Sequence, residues 1–430
     1  KIFTMVHHRW IVVFSTYLTE LLATGLLFAF PVLFSSLLEM FRNSRAKTAA
    51  VGSVLFGVLG CTGIITGLLV QRIGPRKAGF LAGILNGISW MACFFSTSIL
   101  YLVLMLAVPM AIGCSLAVLS VNKTLCHHFP GKPGQIALSA QTTASSVGRI
   151  LFTYVLTSSV NTFGLRGTFL IMGAVLLNCS ILSILWNTEL PTTRGTMQII
   201  CKAPNDNTGK TKKLNFFFQF CPVLTNKIFL LFVIGMTFLF VPHGGFMVML
   251  ADIMKSRGFT EENIQLAIII HSICNVCGGL SFGCLKQIPR ISSLFLVFLL
   301  ACISAISFST IQFAEQFWTT VIACSVLGFE MGATVTATSI GTLKIVGSDY
   351  FPFGLGVVYT VMGVGNVFIG PISGIIRDVT GNYTIFLWTS TLSAGVSAIS
   401  ILGTMIMKYR TRPNKDILAI PVDIFTITKL

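Results

Sequence analysis

Gly67-Leu-Leu-Val-Gln71-Arg72-Ile-Gly74-Pro75-Arg76-Lys77 places a short basic turn between two apolar runs, 48–70 and 78–97. Gly283-Cys-Leu-Lys286-Gln287-Ile-Pro289-Arg290 repeats the arrangement after the run 264–285: a glycine, then a basic turn closing on Pro-Arg. The first turn follows the second apolar run of the chain and the other follows the eighth. A spacing of six runs reads as a duplication. The runs number twelve: 10–36, 48–70, 78–97, 100–122, 136–160, 167–187, 227–251, 264–285, 292–312, 317–343, 353–376 and 384–407. Each suits a helix crossing the bilayer, which takes roughly 20 residues. Backbone groups in hydrocarbon must be satisfied internally, and the runs are too long for barrel strands, so the spans are helices. The predicted fold is an all-α membrane protein of 12 transmembrane helices in two six-helix bundles, 1–187 and 227–408. A polar connection, 188–226, joins them, and a tail, 409–430, follows.

Composition agrees. Of 430 residues 54% are hydrophobic and 10% charged, and the mean hydropathy is +0.86. A soluble domain carries about 25% charged residues, so a soluble enzyme or nucleic-acid binder is excluded. The net charge of +16 is explained by topology. With the N-terminus inside, 21 of the 29 Lys and Arg fall on the cytoplasmic side, 7 fall outside, and Arg149 lies within a span. That asymmetry puts both termini in the cytoplasm. The first apolar run is too long for a signal peptide and lacks a cleavage site. The twelve cysteines lie mostly in apolar runs, where Cys acts as a small hydrophobe. Cys126, His127 and His128 are too few for a zinc site, and no phosphate-binding G-x4-G-K-S/T occurs. No metal, cofactor or enzyme chemistry is expected.

Charges near mid-bilayer cost about 2.5–3.5 kcal/mol each on insertion scales. Of the 13 acidic residues, only Glu20 and Glu330 lie within spans, and Arg149 joins them. Each is ten to thirteen residues into its helix, about 15–20 Å deep at 1.5 Å per residue. A planar guanidinium suits a bidentate hold on an anion, and a buried carboxyl suits a proton. Two plainer readings stand beside this one: a structural Glu–Arg pair, or snorkelling at the lipid edge. His243 follows Pro242 and precedes two glycines, a plausible broken-helix site where an imidazole could bind or titrate. Asn275 and His271 are weaker polar candidates in the eighth helix.

The duplicated six-helix plan and Gly67–Lys77 resemble the major facilitator superfamily and its loop signature G-x-L-x-D-R-x-G-x-R-R/K, with Gln71 in place of Asp. The resemblance implies that Gly67, Gln71, Arg72, Gly74, Arg76 and Lys77 form a gating loop, though they would also serve as simple positive-inside anchors. A narrower resemblance is to the monocarboxylate transporter family. It is carried by Phe163-Gly-Leu-Arg166-Gly167, Gly363-Val-Gly365-Asn-Val-Phe-Ile-Gly370-Pro371, the D-x-T-G-x-Y turn Asp378 to Tyr383, Phe240-Val241-Pro242, the fifth-helix region His128 to Gly148, and Trp10.

The departures from that family bear on function. Aligned on Gly283, Asn275 stands where acid-transporting members carry Asp, and Gly279 where they carry Arg. The first-helix Lys falls near Phe28 and the first-signature Asp near Met5. Lactate–proton symport therefore does not carry over. The resemblance implies alternating-access transport of a small organic solute: a monocarboxylate, or a relative such as carnitine, creatine or an aromatic amino acid. Glu20, Arg149, Glu330, His243 and Asn275 would handle the solute and a coupled proton, with plain facilitated diffusion also open. It further implies a plasma-membrane location and a single-span glycoprotein partner. The other reading is a receptor or scaffold that uses the fold without transport.

Overall fold

The computed structural model describes residues 2–33, 37, 40–41, 45–129, 131–186, 221–288 and 292–410. Most of the expected connection at 188–226, nearly all of the tail at 409–430, and Pro289 and Arg290 of the second basic turn lie outside the described residues.

The spans are α1 (Ile2–Ala29), α2 (Arg45–Cys61 with Gly63–Ile73), α3 (Pro75–Ala92) and α4 (Ile99–His128). Then come α5 and α6, merged as Lys132–Ile184, followed by α7 (Lys227–Ser256), α8 (Glu261–Leu285), α9 (Ser293–Phe313), α10 (Phe317–Val346), α11 (Phe351–Thr380) and α12 (Thr384–Arg410). The two pieces of α2 meet at a 49° bend. The merged segment has 53 residues, about 80 Å if straight, against a hydrocarbon core of about 30 Å. It is two crossings, divided at Gly164, whose φ of 68° and ψ of 173° leave the helical region. A residue with a Cβ is strained there. The described residues thus supply the twelve crossings expected from hydropathy. The turn expected across 161–166 is shorter than the sequence suggested, because one glycine reverses the chain.

Successive helices alternate in direction. The ends of α2, α4, α6, α8 and α10 and the starts of α5, α7 and α11 therefore share one face, called here the linker face. Local chemistry sets several of these ends. Gly74, with φ of 87°, closes α2 by giving its N–H to the Val70 carbonyl, and Pro75 then opens α3. Lys123 of α4 donates to the same carbonyl at 3.3 Å. Asn226 caps α7 by accepting from the N–H groups of Ile228 and Phe229.

Packing follows the bundle plan. Leu26, Trp90, Met110, Phe169 and Leu176 build the core of the first bundle. Phe246, Phe308 and Leu327 fill the outer half of the second. A third cluster lies toward the linker face and joins the two: Phe229, Phe232, Met236 and Ile340 pack in one network with Val121, Leu125, Leu138 and Trp186 of the first bundle. Large apolar side chains such as Phe14, Tyr154, Ile181, Ile306, Trp318 and Ile399 are exposed. That is the surface a hydrocarbon solvent requires, and soluble monomers rarely expose apolar area on this scale.

Candidate functional site

Two seams hold the bundles together. In the first, α2 runs antiparallel to α11 along glycines. A Cβ on Gly60 would collide with the Gly363 backbone, one on Gly63 with the Gly356 carbonyl, and one on Gly67 with the Pro352 carbonyl. The Ile64 N–H donates to Thr360 Oγ1 at 2.9 Å, and Gln71 Nε2 donates to the Asp349 carbonyl at 2.7 Å. Small residues here let backbones approach closely, the usual route to helix association in lipid.

The second seam joins α5 to α8 and α10. Gly283 abuts Ser139, and Gly279 abuts Thr143. The Thr142 and Thr336 hydroxyls meet at 2.6 Å. Ser146 donates to Asn275 Oδ1, also at 2.6 Å. Both seams close the half of the molecule nearer the linker face.

Just beyond the Ser146–Asn275 bond stand the buried charges. Arg149 is three residues on from Ser146, and His271 four residues back from Asn275. Each is one helical turn farther from the linker face, on the same helix side as its bonded neighbour. Counted from the linker-face ends of their helices, Arg149, His271, His243 and Glu330 all stand about 20–25 Å up at 1.5 Å per residue.

His243 and Glu330 form an ion pair, their side chains 1% and 0% exposed. His243 Nδ1 lies 2.9 Å from the Leu239 carbonyl. A carbonyl only accepts, so Nδ1 carries a proton and Nε2 is the atom that meets the carboxylate. Thr334 donates to Glu330 Oε1 at 2.6 Å. The imidazole packs edge-on to Phe308, ring centroids 5.2 Å apart, in an apolar setting that strengthens the pair.

Glu20 lies in the first bundle. Thr24 donates to its Oε1 at 3.0 Å, while Oε2 is buried without a partner. Arg149 has Nε and one terminal nitrogen buried with no hydrogen-bond partner. A buried guanidinium with idle donors is costly.

The structure thus distributes the candidates differently from the simplest expectation. Glu20 and Arg149 lie on touching helices, since the Leu21 carbonyl and Gly25 abut Gly148. No ion pair joins Arg149 to Glu20 or to Glu330 among the described residues. Glu330 is claimed by His243, because α7 and α10 belong to one bundle, whereas Arg149 stands across the seam. Asn275 faces Ser146 and serves the seam directly. In the loop, Gly67 abuts the start of α11, Gln71 bonds the Asp349 carbonyl just ahead of that helix, Gly74 makes the turn, and Arg72, Arg76 and Lys77 are exposed.

Two features escaped sequence reading. Both buried carboxyls have a threonine four residues on, Glu20 with Thr24 and Glu330 with Thr334, a helical spacing visible in the chain. The approach of His271 to the Arg149 layer had no such signal.

A family model described as the Major Facilitator Superfamily matches residues 10–243. Monocarboxylate transporter 9 of Mus musculus is 24% identical, covering 89% of each chain. Monocarboxylate transporter 13 of Rattus norvegicus is 23% identical over 87% of this chain and 84% of its own. The same fold is found in the proton:xylose symporter XylE bound to 6-bromo-6-deoxy-D-glucose, with a TM-score of 0.73 and 14% identity over 93% of this chain and 96% of that one.

Proposed function

The chain belongs to the major facilitator superfamily, a transporter and not an enzyme, and from that premise we propose that it carries a small organic anion by alternating access, with Arg149 holding the anion. The observation that carries this reading is the buried Arg149 guanidinium with two nitrogens unpartnered, one turn beyond the Ser146–Asn275 bond. An anion there gains charge-assisted, bidentate hydrogen bonds in a low-dielectric setting. The relatives named monocarboxylate transporters support a carboxylate as the anion, with carnitine, creatine and aromatic amino acids as carboxylate-bearing variants.

The His243–Glu330 pair is the proton carrier of this proposal. With Nδ1–H spent on Leu239, one proton is shared between Nε2 and the carboxylate. A second proton makes the pair net positive and releases the imidazolium from its counter-ion. That added charge, in the layer of Arg149, balances an arriving anion. Glu20 and Asn275 complete the polar lining: Glu20 as a buried carboxyl held by Thr24, Asn275 as the latch beneath the anion. The residues of the loop, Gly67 to Lys77, work the seam with α11, and the excess of Lys and Arg on the linker face makes that face cytoplasmic. Plasma-membrane residence with a single-span glycoprotein partner fits the family resemblance.

The test is uptake of labelled monocarboxylates, carnitine, creatine and aromatic amino acids into proteoliposomes, with and without an inward proton gradient. Saturable uptake of an anion, abolished by Arg149→Leu, is expected. A chain that binds these solutes and is stabilised by them but moves none is the receptor of the alternative reading, and would overturn transport.

A further inference from the structure

We infer that the linker-face ends of α8, α9, α10 and α12 form a binding site for the phosphate headgroup of an anionic lipid, built on Lys286, Lys344 and Lys408. The inference goes beyond the transport proposal and takes from it only the cytoplasmic orientation of the linker face.

Three lysines from three helices meet here. Lys344 stands in the last turn of α10, Lys408 in the last turn of α12, and Lys286 directly follows α8. α10 packs against α8 and α9, and α9 packs against α12. The Lys344 ammonium donates to the Oγ of Ser293, the first residue of α9, at 3.2 Å. Lys286 makes side-chain contact with Lys344, and Lys408 is the other charge beside it. Lys344 is exposed while Lys286 and Lys408 are half-buried, so the cluster opens outward through Lys344.

Topology explains why each lysine lies on this face, and each also suits the negative end of its own helix. Neither reason explains why they converge. Like charges repel, and a helix start adds positive potential of its own. At the start of α9, Ser292 makes no side-chain cap bond, and the first turn holds no acid. A bound anion makes the gathering favourable, because ammonium groups bind phosphate as compact point charges.

The surroundings point to a lipid as the source of that phosphate. Phe295 and Leu299 of α9 and Leu402 and Ile406 of α12 are exposed. Each lies within six residues of Ser293 or Lys408, about 9 Å along the axis, on the bilayer side of the cluster. A cationic roof above an apolar wall fits a phospholipid, with the phosphate among the ammonium groups and the acyl chains along the wall. Three ammonium groups match a terminal phosphate, which carries about −1.5 to −2 at pH 7, better than they match a zwitterionic headgroup.

The test measures retention of dioleoyl phosphatidic acid by the full chain in detergent, using native mass spectrometry, with the melting temperature read alongside. Phosphatidic acid is expected to stay bound and raise the melting temperature, and phosphatidylcholine with the same chains to do neither. Phosphatidylcholine matching it in both overturns the anion site. Lys344→Gln should weaken retention about fivefold, and the same change at Lys286, Lys344 and Lys408 together about a hundredfold. Lys344→Arg keeps the charge and should bind as the wild type does. Changing Arg72, Arg76 and Lys77 together to Gln removes as much charge elsewhere on the face and should leave retention nearly unchanged. Equal losses in the two triple variants would mean diffuse surface attraction and overturn the site. Inorganic phosphate at matched concentration should neither displace the lipid nor raise the melting temperature. If it does both, the ligand is a soluble phosphate and the lipid is overturned. A melting temperature lowered equally by Lys344→Gln with and without phosphatidic acid would leave the lysines serving only their own helix ends, which also overturns the site. Should the triple lysine variant not fold, Lys344→Gln against Lys344→Arg still decides, since that side chain is exposed. Uptake plays no part in the readout, so failure of the Arg149 reading leaves this result standing.

Discussion

Ser146 on α5 donates a 2.6 Å hydrogen bond to Asn275 on α8, and this bond lies one turn beneath the partnerless Arg149 guanidinium. The closed seam and the proposed anion site are thus consecutive turns of the same two helices. Whatever binds at Arg149 meets the latch first, which gives a physical route from occupancy to opening.

The latch can be weakened alone. Ser146→Ala leaves Asn275, 8% exposed, without its donor, at a cost of about 1–3 kcal/mol to the closed seam. Spin labels at Ile136 and Leu285, exposed positions near the linker-face ends of α5 and α8, should then report a share of molecules with separated ends raised fivefold or more. An unchanged distance distribution would show that the bond does not bear on opening.

Arg149→Leu separates binding from folding. Two of its nitrogens are idle, so its removal should leave thermal stability in detergent unchanged or higher, while uptake falls at least a hundredfold. Arg149→Lys keeps the charge but not the planar fork and should retain a small part of the activity. A drop in melting temperature parallel to the loss of uptake would mark Arg149 as structural.

The His243–Glu330 pair invites the complementary test. Glu330→Leu strands His243 in an apolar pocket and should destabilise the protein by about 3–5 kcal/mol, read by thermal or denaturant unfolding. Glu330→Gln keeps a hydrogen-bonding group of the same shape. It should preserve solute exchange between the two sides while abolishing accumulation driven by a proton gradient. Gradient-driven accumulation surviving in Glu330→Gln would remove the pair from proton handling.

The α2–α11 seam makes its own prediction. Gly363→Leu drives a side chain into the Gly60 backbone, so the linker-face half cannot close, and transport should vanish in a protein that still inserts in membranes. Gly395→Leu is the control, since nothing stands within 4 Å of a Cβ built there. Equal losses in both variants would count against the seam.

Hydropathy and spacing alone settle much of this molecule. Runs of about twenty apolar residues dictate crossings, because backbone groups in lipid have no other partner. The echo of Gly67–Lys77 at 283–290 marks the duplication, and counting residues along a helix gives the depth of Glu20, Arg149 and Glu330. Gly164 shows how far such reading goes: two spans were evident on either side of it, yet that one residue makes the turn is a matter of its φ.

Partnership was settled only in three dimensions. Depth follows from a rise of 1.5 Å per residue, which is local and can be counted, but the side chain opposite depends on how each helix is rotated and which helix packs beside it. That is why Glu330 met His243 instead of Arg149, why Asn275 closed a seam with Ser146, and why His271 bonded the Cys324 carbonyl of α10. Rotation and neighbourhood are fixed by glycine contacts between residues hundreds of positions apart, such as Gly60 with Gly363, and no window along the chain contains both members of such a pair.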